Sequence, residues 1–193
     1  MKKKVPNWVR IQRVQRDIPS DLIEAGVWKG NLRDLAQKEL EERGEKCNCI
    51  RCREVGHRMM KDNIDPEPEN AELYREEYDA SNGKEIFLSI EDKEKDIIFG
   101  HLRSRIPSSE THRPEVDEKT GLIRMLYVFG KLVPVGGDKS QRSWQHEGFG
   151  KKMLEESEKI CREEYDCEKM GILSGIGTRQ YYRRFGYELE GPY

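Results

Sequence analysis

The spacing of hydrophobic and polar residues predicts β-structure and one long helix in the second half of the chain. Apolar residues dominate 85–90 and 97–105, on either side of the charged stretch EDKEKD, which predicts a β-hairpin. The β-rich run 122–135 predicts a central strand. Apolar residues then recur at helical spacing through FGKKMLEESEKICREEY, with glutamates between them, which predicts an amphipathic helix. The local order is therefore strand, glycine-containing loop, helix.

Shorter elements are predicted on both sides of this unit. Downstream, the pattern predicts a strand at 170–173, a glycine turn at 175–177, a short helix over 179–185 and a strand-like segment at 187–189. Upstream, short helices are expected between 20 and 43, broken at Gly26 and Gly30. The second of them has Asn31 as its N-cap and Gly44 just beyond its end.

A proline-containing acidic stretch, DPEPEN, predicts a linker with a domain boundary near Pro68. We therefore expect a basic, cysteine-bearing connector over 1–69 and a second domain over 70–193. The second domain opens with AELYREEYDA, which fits a strand or a turn, and 106–120 is polar enough to predict a loop.

The composition excludes a membrane-spanning class. Charged residues make up 37% of the 193 residues, the mean hydropathy is −0.93, and no 18-residue apolar run is present. The lysine-rich start is followed by no apolar segment of the kind that a secretory signal contains. We therefore expect a soluble, cytoplasmic protein.

Charge is nearly balanced over the whole chain, so any contact with nucleic acid must come from a local patch. The formal net charge is −2. Basic residues concentrate near the start and around the cysteines, at Lys2, Lys3, Lys4, Arg10, Arg13, Arg16, Arg51, Arg53, Arg58 and Lys61. They predict either a face that neutralises RNA phosphates or a solvated terminus with ordinary ion pairs.

Three of the five cysteines lie within six residues. Cys47, Cys49 and Cys52 are followed by His57, a set compatible with a tetrahedral Cys₃His zinc site. The alternatives are reduced cysteines that pack on a tight turn and a histidine in a solvated loop. We expect the other two, Cys161 and Cys167, to be core residues.

Gln145, Gly148 and Gly150 form a Q-x-x-G-x-G pattern where a loop meets the amphipathic helix. Backbone N–H groups at a helix start point outward and the helix dipole adds positive potential, so such a site binds a pyrophosphate. The alternative is an ordinary helix start that contains glycine. Neither a Rossmann fingerprint nor a P-loop is present.

About thirty residues later, Tyr181 and Tyr182 lie in YYRRFGY, and the two motifs together resemble the GNAT acetyltransferase superfamily. The resemblance implies an α+β GNAT fold, with a mostly antiparallel sheet opened where acetyl-CoA enters. It implies backbone contacts to the coenzyme pyrophosphate at Phe149, Gly150 and Lys151, and a strand that lines the pantetheine and acetyl group at Met125, Leu126, Tyr127 and Val128. Tyr182 would be the general acid, whereas Tyr181 fits a structural role better. Packing is the alternative for both tyrosines.

Six blocks in one order give a narrower resemblance: VRIQRVQRDIPSDLIEAG, GNLRDL, CNCIRCREVGHR, LYVFGKLVPVG, QHEGFGKKMLEESEKI and SGIGTRQYYRRFGYELEGPY. They are similar to the C-terminal half of the catalytic subunit of Elongator, a radical-SAM and GNAT enzyme family. This similarity implies a tRNA-modifying enzyme that places a carboxymethyl group, derived from acetyl-CoA, on C5 of the wobble uridine. It also implies tRNA, Elongator-type subunits or a second copy as partners.

The chain departs from that family in one respect. The Cys-x-x-x-Cys-x-x-Cys motif and the barrel that hold a [4Fe–4S] cluster are not found, so SAM and the cluster are expected only in a full-length protein. We expect this portion to bind acetyl-CoA and to hydrolyse it in response to tRNA. Two alternatives stay open, a protein-lysine acetyltransferase and a zinc-bearing RNA-binding module with a non-catalytic GNAT fold.

Overall fold

A five-stranded sheet forms the centre of the computed structural model, which describes residues 2–14, 19–130 and 148–191. Its strands, in spatial order, are β1 (Glu72–Ala80), β2 (Gly83–Asp92), β3 (Ile97–Ile106), β4 (Thr120–Val128) and β5 (Lys169–Ile172). Neighbours from β1 to β4 are antiparallel, whereas β5 runs parallel to β4. The predicted hairpin is confirmed as β2–β3, and the segment that fitted a strand or a turn is strand β1.

The helices lie before and after the first four strands. They are α1 (Leu32–Glu42), α2 (Ile50–Arg53), α3 (Val55–Asp62), α4 (Phe149–Glu164) and α5 (Arg179–Arg183), with 3₁₀ turns at Lys2–Lys4, Ser20–Leu22, Pro68–Asn70 and Ile176–Thr178. The amphipathic helix is confirmed as α4. Helix α1 also lies where it was predicted, and it ends at Glu42, shortly before Gly44, whose φ of +66° suits glycine.

Some predicted elements differ from the observed ones. Only a 3₁₀ turn forms ahead of Gly26, and β4 ends at Val128, while 131–135 lie outside the described residues. Residues 187–189 are not a strand, so that prediction was wrong. The chain turns at Gly186 (φ +88°), and the Tyr187 hydroxyl then donates to Glu158 on α4. A side-chain hydrogen bond to α4, rather than backbone pairing with a strand, therefore holds Tyr187 in place.

The two faces of the sheet are covered differently. One face packs against α4 and forms the main apolar core, which includes Leu88, Leu102, Ile123, Met153 and Leu154. No described helix is long and apolar enough to cross a bilayer. The structure is thus an α+β fold whose single long helix covers one face of the sheet.

The other face carries polar side chains and is covered by the N-terminal segment. Trp8 stacks on Tyr78 with ring centroids 4.7 Å apart, and Ile50 packs on Phe87 and Ile98. Arg53 and Glu91 form an ion pair at 2.8 Å in which both side chains are less than 10% exposed. The connector therefore lies on the sheet, and the domain boundary near Pro68 stays a prediction.

Candidate functional site

Helix α4 begins at a loop end that presents backbone N–H groups. Gly148 is the N-cap residue with φ +77°, a left-handed conformation that favours glycine, and its carbonyl accepts from Lys152 N at 2.9 Å. Within the described part of the chain no side chain caps the helix, and no acidic residue lies in its first turn. The N–H groups of Phe149, Gly150 and Lys151 have no intrahelical acceptor, so this helix start suits an anion. Gln145 lies outside the described residues.

The sheet opens beside this helix start. Pairing between β4 and β5 ends at Ile123 and Ile172, and Leu173 N donates to Ile123 O at 3.0 Å. Beyond that point the segment Met125–Val128 pairs only with β3 within the described part of the chain. A register shift occurs in the β3–β4 pairing just before this segment. The free edge of β4 offers backbone groups to an extended ligand.

The side chains of this β4 segment point alternately to the two faces of the sheet. Leu126 and Val128 pack against the core that α4 covers, whereas Met125 and Tyr127 are exposed. An extended ligand on the free edge would thus lie between an apolar side and a solvent-facing side.

Helix α5 brings the two tyrosines to different places. Their rings meet edge-on with centroids 5.3 Å apart. The Tyr181 hydroxyl lies at the start of α4, only 2.5 Å from the point that a Cβ on Gly150 would occupy. Tyr182 lines a neighbouring cavity of about 310 Å³ with Leu122 and Ile172. The structure thus brings Tyr181, rather than Tyr182, to the glycine motif, a detail that the sequence did not indicate.

Burial sets the protonation state of both phenols. It raises the pKa of Tyr181, and it raises the pKa of Tyr182 together with the charge that Tyr181 would carry. Both hydroxyls therefore stay protonated at neutral pH. They can donate a proton or a hydrogen bond, but neither suits the role of a base.

The three clustered cysteines converge in space. The Sγ atoms of Cys47, Cys49 and Cys52 lie within 4.8 Å of one another, and Cys47 and Cys49 are buried. The turn is fixed by α2, whose N-cap residue is Cys49 and whose Ile50 N donates to Val9 O at 2.9 Å. Hydrogen bonds from the Cys47 and Cys52 thiols lower the pKa of Cys49. Three converging thiols, one of them favoured as a thiolate, fit three ligands of a zinc ion.

The predicted fourth ligand is not part of this cluster. His57 lies in α3, outside the group of three sulfur atoms. Burial lowers the pKa of His57, and the charge of Arg51 adds to that effect. Instead, the residue that reaches the cluster is Gln37 of α1, whose Oε1 lies 3.9 Å from Cys52 Sγ. Nothing in the sequence signalled that contact, which joins residues fifteen positions apart.

Many of the basic residues near the start have acidic or polar partners within the chain. Arg10 pairs with Glu54 at 2.6 Å and Lys3 with Glu45 at 2.6 Å, while Lys2 donates to Gln37. These contacts hold the connector on the fold. Contact of this face with RNA therefore stays a prediction.

One buried polar residue was missed entirely. His101 of β3 lies under Tyr127 and Phe129, and its Nδ1 finds no hydrogen-bond partner among the described residues. Burial and the charge of Arg103 lower the pKa of His101 to about 3, so the ring is neutral near pH 7. Its position on the polar face follows from strand periodicity, but its burial depends on Tyr127 and on the N-terminal segment.

A mixed sheet that opens between β4 and β5 beside an uncapped, glycine-containing helix start is the arrangement of an acyl-CoA-binding domain. The acetyltransferase (GNAT) family model matches residues 39–187, and the chain belongs to this family. The match begins within the connector, ahead of the predicted boundary.

The resemblance to the Elongator catalytic subunit is also confirmed. The chain is 50% identical over 189 residues to the tRNA uridine(34) acetyltransferase of Methanocaldococcus jannaschii, and 46% identical over 189 residues to Elongator complex protein 3 of Danio rerio. Each alignment covers 98% of this chain but only 35% and 34% of the relative. The chain thus spans about a third of the length of the curated relatives it matches.

A solved structure gives the same result for the fold. The archaeal Elp3 of Methanocaldococcus infernus, with an N-terminal deletion, superposes with a TM-score of 0.91 at 48% identity. The alignment covers 100% of this chain and 45% of that one. The GNAT fold, together with its N-terminal segment, is therefore shared with that structure.

Proposed function

We propose that this chain binds acetyl-CoA in the opening between β4 and β5 and serves as the acetyl-CoA portion of a tRNA-modifying acyltransferase. One observation carries the proposal: among the described residues, the uncapped start of α4 lies against Val128, at the end of the β4 segment that has no β5 partner. The amides of Phe149, Gly150 and Lys151 would hold the pyrophosphate, and Gln145 and Gly148 are our other proposed contacts to the coenzyme. The pantetheine would then lie along Met125–Val128.

Acyl transfer from a thioester expels a thiolate, which a nearby phenol can protonate or hold by a hydrogen bond. Tyr182 is our proposed general acid. Tyr181, whose hydroxyl lies at Gly150, would contact the coenzyme close to its phosphates. Because burial keeps both phenols protonated, the two roles are compatible with their pKa values.

The acceptor and the partners are proposed from the relatives. The relatives are named for tRNA uridine(34) acetylation and for the Elongator complex. We infer that tRNA approaches through the basic N-terminal face and stimulates hydrolysis of acetyl-CoA, and that the complete protein forms a carboxymethyl group on C5 of the wobble uridine. Elongator-type subunits or a second copy of the chain would be its partners, in the cytoplasm.

The residues of this chain fit one metal-containing group, a zinc ion, and do not fit another, a [4Fe–4S] cluster. Cys47, Cys49 and Cys52 fit a structural zinc ion, which would tie α2 to the N-terminal segment, and His57 remains our predicted fourth ligand although it lies outside the cluster. The residues present do not fit a radical-SAM cluster, because their spacing is Cys-x-Cys-x-x-Cys. SAM and [4Fe–4S] are therefore proposed only for a full-length protein.

Calorimetric titration of the purified chain with acetyl-CoA tests the binding step. We expect saturable binding with one site, and no heat of binding at millimolar acetyl-CoA would refute the proposal. Thiol release, measured with and without tRNA, tests the acceptor. Thiol release that depends on tRNA supports the proposed function. Release driven by lysine peptides would instead indicate a protein acetyltransferase. Binding of acetyl-CoA without thiol release would indicate a non-catalytic module.

A further inference from the structure

Three sulfur atoms meet at the end of α4 that lies far from the glycine motif. Cys161, in the last turns of α4, is fully buried, and Cys167, just before β5, is 9% exposed. Met170 is the second residue of β5. None of the three has a role in the acyl transfer proposed above.

The backbone brings the two thiols together. The chain reverses at Asp166, which has φ +50°, and Cys167 N donates to Cys161 O at 2.9 Å. The two thiols are hydrogen-bonded to each other. Their approach is therefore fixed by a turn that closes directly after the helix.

Gly121 makes room for the third sulfur. It is opposite Met170 in the β4–β5 pairing. Both Met170 Sδ and Cys161 Sγ lie within 3.0 Å of the point that a Cβ on Gly121 would occupy. A side chain at Gly121 would fill this space, whereas glycine lets the thioether and the thiol approach one another.

The cluster is reachable from solvent. A cavity of about 260 Å³ is lined by Cys161, Cys167 and Met170 together with Lys169 and Tyr187. A small ion can therefore reach sulfur atoms that are otherwise part of the core.

We propose that Cys161, Cys167 and Met170 form a three-sulfur site for a soft monovalent cation, Cu⁺. Thiolate and thioether ligands together select Cu⁺, because both donors are soft. Each thiol would release its proton on binding, and Met170 would supply a neutral third ligand. The site differs from the Cys47–Cys52 cluster, in which all three donors are thiols.

Anaerobic titration of the reduced full chain with Cu⁺, in competition with bicinchoninate, tests the site. Because we expect the Cys47–Cys52 cluster to bind soft metals as well, the wild-type chain should take up one more equivalent than Cys167→Ser. Met170→Leu conserves volume and removes only the thioether, so it should fold normally yet weaken this last equivalent at least about tenfold.

The control is Met153→Leu, the same substitution at a buried methionine of α4 that does not line the cavity. It should bind Cu⁺ as the wild type does. Equal uptake by wild type and Cys167→Ser would overturn the site, and so would an unchanged affinity in Met170→Leu.

Discussion

Replacing Gly150 with alanine tests coenzyme binding and folding in one variant, because the new methyl group should have a separately measurable effect on each. The new Cβ would lie 2.5 Å from Tyr181 Oη and 3.6 Å from Val128 Cγ2. Gly150 is in the first turn of α4, where alanine is favoured over glycine by about 1 kcal/mol. Overpacking against the Tyr181 hydroxyl costs about 1–3 kcal/mol. The free energy of unfolding should therefore fall by about 0–2 kcal/mol.

The same methyl group would stand on the surface that we assign to the pyrophosphate. We expect Gly150→Ala to weaken acetyl-CoA binding at least about tenfold, which corresponds to about 1.4 kcal/mol. Calorimetric titration measures the affinity, and urea unfolding measures the stability of the same samples.

Adding Tyr181→Phe makes the test decisive. Removal of the hydroxyl leaves the ring carbon Cζ at 3.5 Å from the new Cβ, an ordinary contact distance. In the Tyr181→Phe background, Gly150→Ala should therefore stabilise the fold by about 1 kcal/mol, while acetyl-CoA affinity stays low. Wild-type affinity in Gly150→Ala would refute the placement of the coenzyme at α4, and continued destabilisation in the double variant would refute the Tyr181 contact.

Three further predictions concern Tyr182, our proposed general acid, and the polar face of the sheet. Tyr182→Phe should reduce tRNA-stimulated thiol release at least about 100-fold with little change in acetyl-CoA affinity, as measured by release assay and calorimetry. The folded protein holds His101 neutral with a pKa of about 3, so protonation of His101 in the unfolded chain should lower stability as pH falls below about 6.5. This loss reaches about 2 kcal/mol at pH 5, and urea unfolding of His101→Leu should lack it. Arg53→Met should lower the free energy of unfolding by about 3–5 kcal/mol, because it leaves the buried Glu91 unpaired, and Arg53→Met with Glu91→Gln should recover much of that loss.

Elements fixed by local pattern could be predicted from the sequence, and elements fixed by distant contacts could not. Helix α4 and the β2–β3 hairpin follow from hydrophobic spacing alone. The strand predicted at 187–189 did not form, because the Tyr187 side chain reaches α4 instead of pairing its backbone with β5. The strand propensity of 187–189 contains no information about a side-chain contact with a distant helix.

In the candidate site, too, the residues that form local motifs could be predicted, whereas their arrangement in space could not. The glycine motif and the tyrosine pair were found by type and spacing, but their relative orientation depends on how α5 packs against α4. Only the structure places the Tyr181 hydroxyl at Gly150 and Tyr182 in the cavity beyond it. Rotating α5 by one residue would exchange the positions of the two tyrosines. The five residues of α5 are too few for their hydrophobic spacing to determine that rotation.

The two faces of the sheet explain why the connector and the GNAT fold belong together. The face under α4 is apolar and needs no further partner, whereas the opposite face carries His101, Arg103 and Glu91, which are costly to bury without partners. The N-terminal segment supplies partners to two of them: Arg53 pairs with Glu91, and the Trp8 carbonyl accepts from Arg103. Because Cys49 is the N-cap of α2, which carries Arg53, a metal bound by the three cysteines would help to hold Arg53 against Glu91. The proposed metal site and the polar face of the sheet would then be coupled through Arg53.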